Sequence, residues 1–409
     1  MRPGRHGAGL VAVLLALALW LVPTAAAAPS AGPQGIYAEA WTVVDARSGD
    51  VLASQAARRH LPIASTTKLM TAYVAMRELP LDKVVRAAPY SPIYGESLMG
   101  LKTGERVSVR DLLYGLILVS GNDAAHTLAI RAAGSEAGFV RQMNRYAAAL
   151  GLADTHYANP VGLDQRGNYS SAADLATLAR RLLREPVFAK IADSRSALLR
   201  SLRPPRRIDT LNDLLYMAPW ATGVKTGHTF DAGYVLVGSG EKKGVSLVSV
   251  AINAPTEETR FTDNLALLEW GFSQYQRRLP IRAGQSLAEP TIRYSGGRLP
   301  LRAARSLQVG VRRGQRLAVE LQAPGEVEGP IRRGERLGAV TVNVGGRRVG
   351  VVALRASRAV PEASAFDRAR TFLADNLLPI AIAMFVILII GLVLLRRLTR
   401  GKRLRSEIG

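Results

Sequence analysis

Between Leu377 and Leu395 the chain carries no charged residue, and Arg396, Arg397, Arg400, Lys402, Arg403 and Arg405 follow at once. A run of this kind has one structural solution in lipid. Hydrocarbon offers no partner to a backbone N–H or C=O, so the segment must be a helix that satisfies its own. At 1.5 Å per residue it extends about 28 Å, which matches a bilayer core of about 30 Å. The expectation is a membrane-spanning helix over 377–395 and a basic tail over 396–409, cytoplasmic by the positive-inside rule. A buried core helix is the competing reading, and it leaves the adjacent cations unexplained.

Residues 1–27 add a second constraint. Arg2 and Arg5 precede an apolar run from Leu10 to Val22, and small residues fill Ala25 to Ala28. That is the layout of a secretory signal, with cleavage expected after Ala26 or Ala27. The apolar run, about thirteen residues, is short for a span, which needs roughly 20. Everything between the two segments is then expected outside the cytoplasm, held at the cell membrane. This changes the meaning of the charge. Lys+Arg 54 against Asp+Glu 32 gives +22, which alone points to nucleic acid. An exported chain makes nucleic acid a poor partner, and anionic membrane or wall polymers a better one. The chain has no cysteine, which excludes disulfides, thiolate metal sites and a sulfur nucleophile. Outside the signal the histidines are His60, His126, His156 and His228. They lack H-E-x-x-H spacing, so neither metal nor other cofactor is expected, and the absence of G-x-S-x-G argues against a Ser-His-Asp triad.

Residues 36–275 mix two periodicities. The stretch from Tyr37 to Gln55 reads as two short strands joined at Ala46–Asp50, and 233–255 reads as a hairpin turning near Gly240 to Gly244. Helical spacing runs through 66–79, 108–133, 170–183 and 262–275. The third of these opens with Ser171 and Asp174 in a capping-box arrangement. Strands at both ends with helices between predict an α+β fold, an antiparallel sheet flanked by helices. Over 280–357 short β-like runs alternate with glycine-containing turns, Arg312-Arg313-Gly314 and Arg332-Arg333-Gly334 among them, so a small all-β domain is expected there. Residues 358–376 read as a stalk.

Three short motifs carry chemistry. Ser65-Thr66-Thr67-Lys68 opens a helix, and positions i and i+3 share a helix face with Cβ atoms about 5–6 Å apart. The amine can reach the hydroxyl, and the helix N-terminus adds N–H groups and partial positive charge. A nucleophile, a base and part of an oxyanion hole are thus available. The lysine must then be neutral some of the time, which requires burial or a neighbouring cation. Ser120-Gly121-Asn122 ends an apolar helical run, where both side chains can meet a substrate. Lys225-Thr226-Gly227 stands before the strand 233–237. An edge strand there can pair with an extended peptide and hold its carboxylate, and Gly227 permits a close approach. A second copy, Lys102-Thr103-Gly104, precedes Ser120 and leads into a helix, so it reads as a structural turn.

S-x-x-K, S-x-N and K-T-G in this order resemble the serine penicillin-recognising enzymes. The stretches 64–75, 112–125, 158–176 and 223–237 are similar to the D-alanyl-D-alanine carboxypeptidases, the low-molecular-mass penicillin-binding proteins. The resemblance covers 36–275, and 280–357 loosely. It implies a transpeptidase/β-lactamase-like domain, a β-rich domain and a membrane anchor. It further implies a peptidoglycan stem peptide ending in D-Ala-D-Ala as substrate, and β-lactams as inhibitors. By the same resemblance Ser65 is acylated, Lys68 is its base, and Ser120 relays a proton to the leaving group. Asn122 holds the substrate backbone, and Lys225 and Thr226 bind the terminal carboxylate beside Gly227. The N–H groups of Ser65 and His228 form the oxyanion hole, and Arg260 is a further carboxylate contact. A β-lactamase-like hydrolase is one alternative, although Gly121 stands where class A enzymes carry Asp and no counterpart of their deacylating Glu is evident. A non-catalytic wall-binding protein on the same fold is another, and a transpeptidase role stays open.

Overall fold

The computed structural model describes residues 32–406, with side chains through Arg396. The expected signal segment, 1–27, lies outside the described residues.

The strands β1 (Ala40–Asp45) and β2 (Val51–Gln55) form the first hairpin. Its turn is held by the Asp45 carboxylate, which accepts the N–H groups of Arg47 and Ser48 at 2.9 and 2.7 Å. A 3₁₀ turn, Ala64–Thr67, leads into α1 (Lys68–Glu78). A small ladder, β3 (Val84–Arg86) with β4 (Arg106–Ser108), brackets a long irregular loop. The helices α2 (Val109–Leu118), α3 (Asn122–Ala133), α4 (Glu136–Ala149), α5 (Ala172–Leu182) and α6 (Pro186–Ala192) follow. The hairpin β5 (Ser196–Leu199) with β6 (Arg206–Asp209) and the single turn α7 (Leu214–Met217) come next. Then β7 (Ala221–Thr229), β8 (Gly233–Lys242) and β9 (Val245–Ala254) run as a meander into α8 (Glu257–Ser273).

The main sheet is fully antiparallel, in the order β2-β1-β9-β8-β7. Side chains alternate across it, as the two-residue period of a strand requires. Val44, Val237, Val248, Val250 and Ile252 join the core shared with α1–α6, whereas Val43, Leu236, Leu247 and Ala251 join the one under α8. Each fully buried Val, Leu or Ile stabilises the fold by about 1.5–3 kcal/mol relative to exposure. The consequence for function is that α1 runs through the middle of the molecule. Every residue from Lys68 to Ala75 is buried, so a lysine is carried into the core.

Two local expectations differ from the structure. The helical pattern over 108–133 is not one helix. It breaks at Val119–Gly121, where Ser120 takes the left-handed φ of +58°. The loop before α2 competes for the backbone at this point. Ser97 O accepts the Asn122 N–H at 2.8 Å, and Met99 presses so closely on Gly121 that a Cβ there would meet it at 2.9 Å. At α5 only half of the capping box forms. Ser171 Oγ accepts the Asp174 N–H at 3.1 Å, but the Asp174 carboxylate is taken by Asp154 N–H and Thr155 Oγ1, at 2.8 and 2.7 Å.

The chain continues as β10 (Tyr275–Ile281), β11 (Ser286–Ala288), β12 (Thr291–Ile292), β13 (Leu301–Ala303), β14 (Leu307–Arg312), β15 (Leu317–Gln322), β16 (Glu326–Val327), β17 (Arg336–Val344) and β18 (Arg347–Ala356). A five-stranded sheet in the order β11-β13-β18-β17-β15 encloses its own apolar core around Leu301, Val342, Val352 and Leu354. This C-terminal all-β region touches the first hairpin through Tyr275 Oη on Asp45 at 2.7 Å and Arg347 Nη1 on Ser48 O at 2.6 Å. Part of the segment read as a stalk is helical, α9 (Ala365–Asp375), with a complete capping box between Ser364 and Asp367. It leads into α10 (Leu377–Ser406), whose stretch Leu377–Arg396 is long and apolar enough to cross a membrane.

Candidate active site

The 3₁₀ turn at Ala64–Thr67 lifts Ser65 to the mouth of α1, with Ala64 held at the left-handed φ of +47°. A non-glycine residue in that region costs energy and persists only where its surroundings fix it. Two glycines fix it here. A Cβ at Gly162 would collide with the Ala64 carbonyl, and one at Gly227 would meet Ser65 N and Ala64 Cβ at 3.0 Å. Lys68 lies one turn on and its Nζ is 2.9 Å from Ser65 Oγ, as the i, i+3 spacing requires. The same Nζ donates to Val161 O at 2.5 Å, and Thr71 Oγ1 donates to Pro160 O at 2.6 Å, so the 160–161 segment closes over α1.

Lys68 is wholly buried, and burial lowers its pKa from 10.5 to about 7, against the opposing charges of Glu96 and Asp123. That is the magnitude that matters chemically. At pH 7 about half of such amines are neutral, whereas only about one in 3000 ordinary lysines would be. When neutral, its lone pair can take the Ser65 hydroxyl proton across the 2.9 Å already present.

The break between α2 and α3, two helices that both pack on α1, carries Ser120 and Asn122. Ser120 Oγ is buried and has no hydrogen-bond partner among the described residues. Asn122 Nδ2 donates to Glu96 Oε2 at 2.8 Å, and the Tyr90 hydroxyl donates to the same oxygen. Burial pushes the Glu96 carboxyl up, but these two hydrogen bonds, with the Ile93 N–H and the Lys68 charge, outweigh it and hold the group below the usual carboxylate range.

β7 closes the opposite side. It is the last strand of the main sheet, and its outer face packs on the Ser65 turn. Lys225 is 1% exposed, and its Nζ donates to Thr226 O at 2.9 Å. Burial first, then the cations Lys68 and Arg260, hold its pKa well below the ordinary lysine value. Thr226 and Gly227 are buried beside it. The exposed His228 ring stacks on Tyr234 with centroids 4.1 Å apart. Arg260, from the first turn of α8, is buried behind the strand. It pairs with Glu257, packs on the rings of Tyr234 and Phe261, and directs Nη1 at Gly227 O, 3.4 Å away.

All nine residues singled out from the sequence therefore sit on three adjoining elements: the α1 turn, the α2–α3 break, and β7 with α8 behind it. Glu96, Tyr90 and Val161 were not among them. They lie in irregular segments without periodicity, and only a carboxylate in the loop upstream of Ser120-Gly121-Asn122 offered a hint. The other copy, Lys102-Thr103-Gly104, lies in a turn before β4.

A profile of the D-alanyl-D-alanine carboxypeptidase family matches residues 24–256. The D-alanyl-D-alanine carboxypeptidase DacC of Escherichia coli is 38% identical over 274 residues, which are 64% of this chain and 68% of that one. Among solved structures, penicillin binding protein 6B of Escherichia coli superposes with a TM-score of 0.58 at 30% identity, covering 80% of this chain and 97% of the other. The D-alanyl-D-alanine carboxypeptidase of Mycobacterium tuberculosis does so with a TM-score of 0.55 at 36% identity, covering 59% and 96%.

Proposed function

The chain belongs to the D-alanyl-D-alanine carboxypeptidase family, serine hydrolases that act on peptidoglycan D-Ala-D-Ala and bind β-lactams, and from that premise we propose how its residues divide the work. The enzyme removes the terminal D-Ala from the stem peptide through an acyl-enzyme. Neutral Lys68 takes the proton of Ser65, and Oγ attacks the penultimate D-Ala carbonyl. The N–H groups of Ser65 and His228 receive the developing oxyanion. Ser120 relays to the departing D-Ala amine the proton that Lys68 took from Ser65, so Lys68 returns to its neutral form and Ser120 keeps its own proton. Lys225 and Thr226, with Arg260 behind them, hold the carboxylate that leaves with D-Ala, and Asn122 holds the substrate backbone. Water then hydrolyses the ester on Ser65.

The observation that carries this reading is the wholly buried Lys68 amine, brought to a pKa of about 7 and set 2.9 Å from Ser65 Oγ. The unpartnered hydroxyl of Ser120 supports its part, because a buried hydroxyl without a partner is costly unless a substrate completes it. Purified protein should release D-Ala from a pentapeptide ending in D-Ala-D-Ala and form a long-lived adduct with fluorescent penicillin. Labelling of Ser65→Ala at the wild-type level would sink the assignment, and rapid penicillin turnover would favour a β-lactamase.

The division of labour along the chain belongs to the same proposal. Residues 36–275 form the catalytic domain, and 280–357 a β-rich module that stands it off the membrane. Residues 358–376 connect to a span at 377–395, and the basic segment 396–409 faces the cytoplasm. The catalytic domain is then extracytoplasmic, where stem peptides are. Protease protection of the basic end in sealed spheroplasts, with digestion of the catalytic domain, checks this topology.

A further inference from the structure

The loop between β3 and β4 contributes a carboxylate to the active-site wall that none of the three motifs contains. We propose that Glu96 is a positioning residue of this active site: it fixes the Asn122 carboxamide and adds a negative charge to the cleft that holds Lys68. The inference rests on the roles given to Asn122 and Lys68 above.

The geometry carries the first half. Glu96 Oε2 accepts from Asn122 Nδ2 at 2.8 Å. An ionised carboxylate can only accept, so the amide end of Asn122 must face it. The amide end is then held at Glu96 and beside the Tyr90 hydroxyl, and Oδ1 is turned away from the carboxylate. Glu96 is itself held, by the Tyr90 hydroxyl on Oε2 and by the Ile93 N–H on Oε1 at 3.2 Å. The loop that bears it is stitched to the start of α3. Ser97 O accepts the Asn122 N–H, and the Asp123 carboxylate accepts the N–H groups of Met99 and Leu101, all at 2.8 Å. Asp123 thus spends both oxygens on the loop backbone, whereas Glu96 points its carboxylate at a catalytic side chain.

The charge balance carries the second half. The charged groups around Lys68 come from three sides: Glu96 from the loop, Asp123 from α3, and Lys225 from β7 with Arg260 behind it. Burial drives the Lys68 amine towards neutrality, and Glu96 is the first of the two carboxylates that oppose it. Hydrogen bonds from Tyr90 and Asn122 keep Glu96 ionised through neutral pH. A base poised near the working pH is a better proton acceptor than one lowered further. Glu96 therefore keeps Lys68 basic in a cleft that otherwise holds cations.

The test uses full-length protein in detergent, with the rate of acylation by fluorescent penicillin measured against pH. Glu96→Gln keeps the shape and an acceptor for Asn122 but removes the charge. Its acid limb should move to lower pH, by about half a unit or more. Glu96→Ala also removes the anchor, and acylation on the plateau should fall about tenfold, a loss that should vanish in an Asn122→Ala background. An acid limb left at the wild-type pH in Glu96→Gln overturns the charge role. A Glu96→Ala loss of equal size with and without Asn122 overturns the positioning role. Failure of the underlying reading looks different, because Ser65→Ala would then still be labelled.

Discussion

The tripeptide Lys-Thr-Gly occurs twice in this chain, and the two copies end in opposite environments. Lys102-Thr103-Gly104 is a tight turn. Gly104 sits at φ +78°, Glu105 N–H donates to Lys102 O at 2.9 Å, and Glu105 Oε2 accepts the Lys102 N–H at 3.1 Å. Three turns of the β-rich region are built the same way. They are Arg282–Gln285, Arg312–Gln315 and Arg332–Glu335, with Gly284, Gly314 and Gly334 at φ +77°, +81° and +84°. In each, the fourth side chain accepts the N–H of the first. Lys225-Thr226-Gly227 is instead part of β7, with a buried lysine and its glycine against Ser65 N. The difference lies in the residue that follows. Glu or Gln closes a turn by accepting the first N–H, and the left-handed glycine completes it. His228 cannot close the turn that way, and the apolar alternation after it favours pairing with β8.

The contrast can be broken experimentally, starting with the lysines. Lys225→Ala should lower the rate of acylation by β-lactam about 10²- to 10³-fold, the scale for losing a charged contact to substrate. Lys102→Ala should stay within twofold of wild type in the same assay. Equal losses would remove the distinction. The glycines come next. Gly227→Ala places a methyl 3.0 Å from Ser65 N, and acylation should fall about 10²-fold, because small displacements of reacting groups are costly. Its stability should fall as well, by about 1–3 kcal/mol, because the methyl is overpacked against the backbone of the Ser65 turn.

The pH dependence is a smaller effect, and its sign follows from Lys68. The neutral amine is the base, and its fraction rises with pH through a pKa of about 7. Acylation should therefore increase about tenfold between pH 6 and pH 8. A flat profile would separate the rate from Lys68. Lys102→Ala should leave this limb where it is. Smallest are the changes confined to the turn. Gly104→Ala should cost about 1 kcal/mol of stability, because alanine resists φ +78°. Glu105→Ala should cost about 0.5–1.5 kcal/mol through the lost hydrogen bond. Denaturant titration reads both, and acylation should be unaffected.

Much of the site was legible because its spacing is local. Ser65 and Lys68 meet through helix geometry alone, and Lys225 to Gly227 read as strand residues from their neighbours. The α+β organisation and the β-rich region followed from periodicity. That the apolar run ends at Ser120 was legible, but the left-handed turn that splits 108–133 into two helices was not. It depends on Ser97, Met99 and Asp123, which bind across a loop that has no pattern of its own. Glu96 and Tyr90 were hidden for the same reason. The capping box at Ser171 was half right, because Asp154 and Thr155 compete for Asp174.

By itself, then, the sequence determined the residue types and their short-range geometry: an oxygen nucleophile with an amine one helical turn away, the strands and helices that hold them, and a C-terminal apolar helix of membrane length. Those depend on bonds, dihedrals and periods that the chain carries locally. The tertiary structure decided what the amine is worth. Lys68 can serve as the proposed base because α1 runs through the core and strips its water, and Ser120 and Asn122 take their places because a loop outside the motif breaks a helix. Desolvation and long-range hydrogen bonds are properties of surroundings, and only the folded chain supplies the surroundings.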